Sequence, residues 1–190
     1  MTLPPALEDW FTAQGWALHP HQRAMLDRAG AASTLLIAPT GGGKTLAGFL
    51  PSLAELAGGH AGLHTLYISP LKALAADIRR NLRRPVEGAG LPIRIEDRTG
   101  DTTYTQRRRQ RADPPHILLT TPESLALLLS YEDAPRLFAG LQRVVVDELH
   151  ALAESKRGDQ LMLALARLET LAPGLRRVGL SATVEDPPAL

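Results

Sequence analysis

Residues 38–45 read Ala-Pro-Thr-Gly-Gly-Gly-Lys-Thr (APTGGGKT). The run follows a short apolar stretch, Ser33–Ala38 (STLLIA), and opens a stretch, Lys44–Leu56, with a helical pattern. A strand, a glycine-rich loop and a helix in that order form a phosphate cradle. Glycines let successive backbone N–H groups turn into one concavity. The N-terminus of the following helix adds partial positive charge at the same place. Within it, Pro39 and Thr40 lead into the donors of Gly41, Gly42 and Gly43. Lys44 is expected to reach the β- and γ-phosphates as a compact charge, and Thr45 to place its hydroxyl on Mg²⁺. The strict pattern begins with Gly where this chain has Ala38. The bland alternative is a glycine-rich turn with an exposed lysine, but the flanking strand and helix argue against it.

About 100 residues further on, Val144–His150 reads VVVDELH. A buried-type strand ends there in two adjacent carboxylates. Asp147 is placed to hold Mg²⁺, and Glu148 to polarise an attacking water as general base. Taken alone, the pair reads equally well as solvated acids at a strand end. Together with the loop at Lys44 it reads as the second half of a nucleotide site.

The rest of the chain alternates in the same style. Thr65–Ser69, Ile93–Glu96, Ile117–Thr120, Val144–Asp147 and Val178–Leu180 read as short strands. Leu71–Leu82, the Arg-rich stretch to about Arg111, Pro122–Ser130 and Asp159–Leu171 read as helices. Such alternation predicts an α/β fold with a mostly parallel central sheet and helices on both faces. Loops are expected at Gly58–Gly62 and Asp113–Pro115, and the tail Glu185–Leu190 reads as an exit from a domain.

Composition narrows the functional classes. At 190 residues the chain is one domain or slightly more, given roughly 150 residues per domain. With no cysteine, disulfide scaffolds, thiolate metal sites and cysteine nucleophiles are excluded. No apolar run approaches about 18 residues, so no membrane partner is expected. The N-terminus lacks a signal pattern. The net charge is +1, and 18 of the 21 basic residues are Arg. Two clusters stand out, Arg79–Arg84 (RRNLRR) and Arg107–Arg111 (RRRQR). They read either as solvated helix faces or as extra attraction to a polyanion that fades with salt. Lys156-Arg157-Gly158 reads equally as a structural turn or as a contact to nucleic acid. His60 and His64 lack a third ligand nearby, so no metal site is expected there. Asn81 is the only asparagine, so a guanine-reading Asn-Lys-x-Asp cannot occur, and no transporter-type Ser-Gly-Gly-Gln signature is present.

APTGGGKT, VVVDELH and Ser181-Ala182-Thr183 resemble motifs I, II and III of superfamily 2 helicases of the DEAD/DEXH type, in order and spacing. SPLKA (69–73) resembles motif Ia, and RTGDT (98–102) and TTPESL (120–125) resemble the motif Ib region. Gln22, within GWALHPHQ (15–22), resembles the upstream glutamine motif. YISPLKALAADIRRNL, TTPESLALLL, VVVDELHALAESKRG and VGLSATV narrow the likeness to the large helicase-related (Lhr-type) group, nearest its ligase-associated DEXH-box DNA helicases.

That resemblance implies a RecA-like P-loop NTPase lobe that uses ATP with Mg²⁺. It also implies 3′-to-5′ movement on single-stranded DNA and a role in DNA repair. Gln22 is then expected to contact the adenine edge, with Trp16 or Phe11 packing on the ring. Lys44, Thr45, Asp147 and Glu148 keep the roles given above. His150 is expected between the nucleotide site and the DNA track, and Ser181 and Thr183 couple the two. Pro70, Lys72, Arg98, Thr99, Gly100, Thr120, Thr121 and Glu123 are expected to face the strand. Backbone amides and Thr hydroxyls bind phosphates without reading bases. With only eight aromatic residues in the chain, stacking is expected to be minor.

Residues 1–190 are thus expected to be the first RecA-like lobe, with 1–30 carrying the glutamine motif. A second lobe, bearing the arginine finger, is expected elsewhere, and this lobe alone is expected to hydrolyse ATP weakly or not at all. DNA-repair ligase or nuclease partners and a bacterial cytosolic or nucleoid location follow from the same resemblance. An RNA helicase lobe and a non-motor P-loop NTPase stay as alternatives.

Overall fold

The computed structural model describes residues 1–39, 41–153 and 155–182. Thr40, Thr183 and the tail Glu185–Leu190 lie outside the described residues. Two helices come first, α1 (Pro5–Ala13) and α2 (Pro20–Asp27), followed by β1 (Ser33–Ile37) and α3 (Lys44–Leu56). Next come β2 (Thr65–Ile68), α4 (Lys72–Gly88), β3 (Ile95–Arg98), α5 (Tyr104–Ala112) and β4 (Ile117–Thr120). The chain continues through α6 (Pro122–Leu129), α7 (Ala134–Phe138), β5 (Arg143–Val146), α8 (Leu149–Leu152), α9 (Lys156–Leu171) and β6 (Arg176–Ser181).

All six strands pair in parallel, in the order β1-β6-β5-β2-β4-β3. The central strands are buried on both faces, which is why they read as unbroken apolar runs rather than alternations. Period-2 geometry then splits each strand between two cores. Tyr67, Ile117, Leu119, Val145, Val178 and Leu180 join α1–α4 on one face. Leu66, Ile68, Leu118, Val144 and Val146 join α6, α7 and α9 on the other. Helices therefore cover both faces, as the alternation requires.

Local chemistry sets the helix starts. Thr121 Oγ1 accepts the Ser124 N–H at 3.4 Å, and Pro122 occupies the first turn of α6. Thr103 caps α5 by accepting the Gln106 N–H. Ser155 Oγ accepts the Gly158 N–H at 3.1 Å, so α9 begins at Lys156, three residues earlier than its apolar pattern suggested. β3 lies two residues later than expected, because the Ile93 N–H closes a turn on the Leu91 carbonyl and the ladder to β4 starts at Ile95.

Parallel pairing sends every strand's C-terminal end to one edge of the sheet, where sites in open α/β sheets are built. The loops after β1, β6 and β5 are neighbours there. The loops after β2, β4 and β3 form the other half of that edge.

Candidate active site

The phosphate loop leaves β1 and closes on α3. Gly43, at the start of α3, has φ of +73°, a left-handed value. A side chain on it would also press on Gln22 Nε2, 2.8 Å from where a Cβ would sit. Lys44 is 6% exposed, and its Nζ has no hydrogen-bond partner among the described residues. A buried ammonium without a partner is costly, so the pocket is made for an anion.

Asp147 follows β5 and is 3% exposed. Its Oδ2 lies 3.5 Å from Thr45 Oγ1, although the two residues are 102 positions apart. Mg²⁺ binds oxygens at about 2.0–2.1 Å in an octahedron, whose adjacent vertices are about 3 Å apart. Thr45 and Asp147 therefore fit a shared Mg²⁺, and the unpartnered Lys44 ammonium fits the phosphates beside it.

Glu148 is the one non-glycine with positive φ among the described residues, at +51°. Such backbone strain persists where surrounding structure fixes it, typically at functional sites. The kink caps α8 and turns the Glu148 carboxylate toward the loop, where it lines the same cavity as Lys44 and Thr45. His150 Nε2 lies 3.2 Å from Glu148 Oε2, and His150 Nδ1 lies 3.0 Å from Ser181 Oγ at the end of β6. Motifs I, II and the Ser181 end of motif III thus meet in one place.

The cavity has a volume of about 340 Å³. It is also walled by Trp10, Trp16, Asn81 and Arg84. Of the two rings proposed for the base, Trp16 is half exposed and lines the cavity, whereas Phe11 is 5% exposed and sits in the core. Arg84 stands 5.9 Å from the Trp16 ring. Gln22 lies against the phosphate loop. Its Oε1 accepts the His19 N–H at 2.9 Å and its Nε2 donates to the Gly43 carbonyl at 3.4 Å. Both amide atoms are thus used within the fold, bracing α2 against the phosphate loop.

The other half of the edge carries a second, more open cavity of about 320 Å³. Pro70, Lys72, Gly100, Thr121 and Glu123 line it with Ser124 and Arg157. Arg98, Thr99 and Thr120 do not. Arg98 is 1% exposed and donates to the Arg107 carbonyl at 3.0 Å, beside the Tyr131 ring. Thr120 is equally buried and donates to the Arg98 carbonyl at 2.8 Å. Both side chains brace the loop from within, and Thr99, also buried, has its Oγ1 turned to the Asp101 N–H. Arg107 completes that support by donating to the carbonyls of Thr99 and Gly100.

Arg157, within Lys156-Arg157-Gly158, lines this cavity and is also bonded within the fold. It donates to Glu123 Oε1 at 2.6 Å and to the Pro70 carbonyl at 2.7 Å. The Arg-rich clusters are mostly spent on local partners. Arg79 pairs with Asp97, Arg80 with Asp77, Arg109 with Glu96 and Arg111 with Asp133. Among the described residues no group of three or more His, Asp and Glu is gathered so that it could hold a metal ion. No helix among them is long and apolar enough to cross a membrane.

Tyr67 escaped the sequence reading. Its hydroxyl donates to Asp147 Oδ2 at 2.5 Å. Its only sequence signal was a polar atom in an otherwise apolar buried strand.

The profile of the DEAD/DEAH box helicase family matches residues 19–189. The chain belongs to that family. Within it, the chain resembles Lhr-type members. It is 42% identical to ATP-dependent helicase Lhr-Core protein 2 of Thermococcus barophilus over 96% of the chain and 23% of that relative. It is 45% identical to the Lhr helicase/probable uracil glycosylase of Mycolicibacterium smegmatis over 94% of the chain and 13% of that relative. A solved structure of Mycobacterium smegmatis helicase Lhr bound to ssDNA and AMP-PNP superposes with a TM-score of 0.91 at 44% identity, covering 98% of the chain and 26% of that protein. The fold is therefore a RecA-like helicase lobe. The chain spans about a quarter or less of the length of these relatives.

Proposed function

We propose that this chain is the ATP-binding first lobe of an ATP-dependent motor that tracks single-stranded DNA 3′-to-5′. The observation that carries the nucleotide reading is the buried, unpartnered Lys44 Nζ beside the 3.5 Å approach of Thr45 to Asp147. Lys44 and the backbone N–H groups of Gly41–Gly43 bind the β- and γ-phosphates. Thr45 and Asp147 hold Mg²⁺, which neutralises charge on those phosphates. Glu148 accepts the proton of the water that attacks the γ-phosphorus. His150 orients Glu148 and reports through Ser181 on the state of the site. The base lies at the Trp16 end of the cavity.

The second cavity gives the DNA reading. Lys72 and the amides around Gly100 and Thr121 bind backbone phosphates, a sequence-tolerant grip suited to a motor. The ssDNA-bound Lhr relative supports DNA over RNA as the strand. A second RecA-like lobe supplies the arginine finger, a part worth about 10³–10⁵ in rate in other phosphoryl-transfer enzymes. DNA repair, with ligase or nuclease partners, is the setting this reading implies.

The test is Lys44→Ala. Titration with a fluorescent ATP analogue should show affinity reduced tenfold or more, with an unchanged melting temperature. Unchanged affinity would remove the phosphate placement. DNA-stimulated ATP turnover at full motor rate from these 190 residues alone would contradict the need for a second lobe.

A further inference from the structure

Tyr67 sits at the centre of β2 with no exposure, its ring stacked on Phe49 at 5.2 Å between centroids. Packing there asks for a ring and nothing more, and a phenylalanine would fill the same volume. The hydroxyl therefore needs its own explanation, because a buried O–H is costly without a partner. Its partner is Asp147. The β2–β5 register sets Tyr67 opposite Val145, so Tyr67 shares a sheet face with Val145 and, two residues on, with Asp147.

The Asp147 carboxylate is thereby held at both oxygens. Oδ1 accepts the Glu148 N–H at 2.8 Å, and Oδ2 accepts the Tyr67 hydroxyl at 2.5 Å. Oδ2 is also the oxygen nearest Thr45 Oγ1. Neither carboxylate oxygen can turn away without breaking one of these bonds. A phenolic hydroxyl facing a carboxylate is the donor of the pair, and the carboxylate oxygen the acceptor.

We propose that Tyr67 is a positioning residue that fixes the Asp147 carboxylate in the orientation required by the divalent cation accompanying the nucleotide. The inference rests on the nucleotide-site reading above and adds a residue to it. Groups that hydrogen-bond a metal-binding carboxylate and fix its orientation set its affinity for the ion, typically by 10–100-fold. A carboxylate already held in place loses little freedom when it engages the cation. One freed from its donor must be ordered first.

The experiment measures Mg²⁺-dependent binding of a fluorescent, non-hydrolysable ATP analogue to the unsubstituted chain and to Tyr67→Phe, with a parallel titration in EDTA. For Tyr67→Phe, the Mg²⁺ midpoint should rise about tenfold, while affinity in EDTA stays within about twofold. In an Asp147→Asn background, Tyr67→Phe should have no further effect on the midpoint. A purely structural role would instead lower the EDTA affinity and the Mg²⁺-dependent affinity together. An unchanged or lowered midpoint overturns the proposal. Proton NMR of the unsubstituted chain gives a check that needs no variant. The Tyr67 hydroxyl proton should resonate far downfield and move when Mg²⁺ is added to the nucleotide-bound chain. A resonance indifferent to Mg²⁺ would also overturn the proposal. Failure of the unsubstituted chain to bind nucleotide at all would instead sink the site reading itself.

Discussion

The imidazole of His150 bridges Glu148 and Ser181. Nε2 lies 3.2 Å from the Glu148 carboxylate, and Nδ1 lies 3.0 Å from Ser181 Oγ and 3.4 Å from the Ala182 backbone nitrogen. The end of β6 is thus linked to Glu148 through one ring. Replacing His150 with Ala should leave nucleotide affinity within about twofold. ATP turnover, assayed with a second lobe present, should fall tenfold or more, because a positioned base is worth about 10²–10⁴. Turnover unaffected by the change would show that Glu148 needs no support from this side.

Lys72 is exposed and pairs with Asp101 at 2.9 Å. An exposed pair of this kind is worth little to stability and exchanges easily for a phosphate. Lys72→Ala should weaken single-stranded DNA binding about equally for all sequences and reduce the salt slope by about 1. Arg157→Ala should do the same and also free Glu123 to repel the strand. Fluorescence anisotropy across a salt series reads both. Sequence-dependent losses would argue for base contacts instead.

At the end of α3 opposite Lys44, Glu55 sits among Arg143, Arg176 and His64. Arg143 reaches it at 2.7 Å, Arg176 at 2.6 Å and His64 at 3.2 Å. Burial alone would raise its carboxyl, but these partners outweigh burial and hold it at about 2, against 4.5 for a free glutamate. The folded carboxyl is the stronger acid. Its contribution to stability is therefore complete above about 4.5 and is lost as pH falls toward 2. Glu55→Gln should lower stability at pH 7 and flatten the loss between pH 4.5 and 2. Urea unfolding followed at several pH values measures both effects. An acid transition of unchanged steepness in the variant would exclude Glu55 as its source.

Gly158 lies in the first turn of α9, where an added Cβ would collide with the backbone carbonyl of Leu152. Backbone cannot yield as a side-chain tip can. Gly158→Ala should therefore cost about 2 kcal/mol or more, and loosen the α8–α9 corner that seats Arg157. A melting curve and a DNA-binding assay test the two consequences separately. A variant as stable as the parent would mean that the corner shifts freely.

The motifs were legible because their chemistry is local. APTGGGKT needs glycine backbone freedom, a strand before it and a helix after it, and all three lie within about twenty consecutive residues. VVVDELH is likewise a strand end with its acids attached. The track was only partly legible. Pro70, Lys72, Gly100, Thr121 and Glu123 line one cavity, whereas Arg98, Thr99 and Thr120 lie in the same short motifs with their side chains turned into the fold. Motif membership names a segment, and the packing of each strand end and the loop after it decides which of its side chains face out.

The amino-acid order by itself determined the strand-and-helix alternation, the phosphate loop and the acid pair, since each depends on contacts between near neighbours in the chain. Only the tertiary structure decided that β5 lies beside β2, which sets the Tyr67 hydroxyl against Asp147, and that Arg157 closes on Glu123 and Pro70. Those partners are 80, 34 and 87 residues apart. Strand order and side-chain direction bring such groups together, and neither is written in the spacing of residues along one segment.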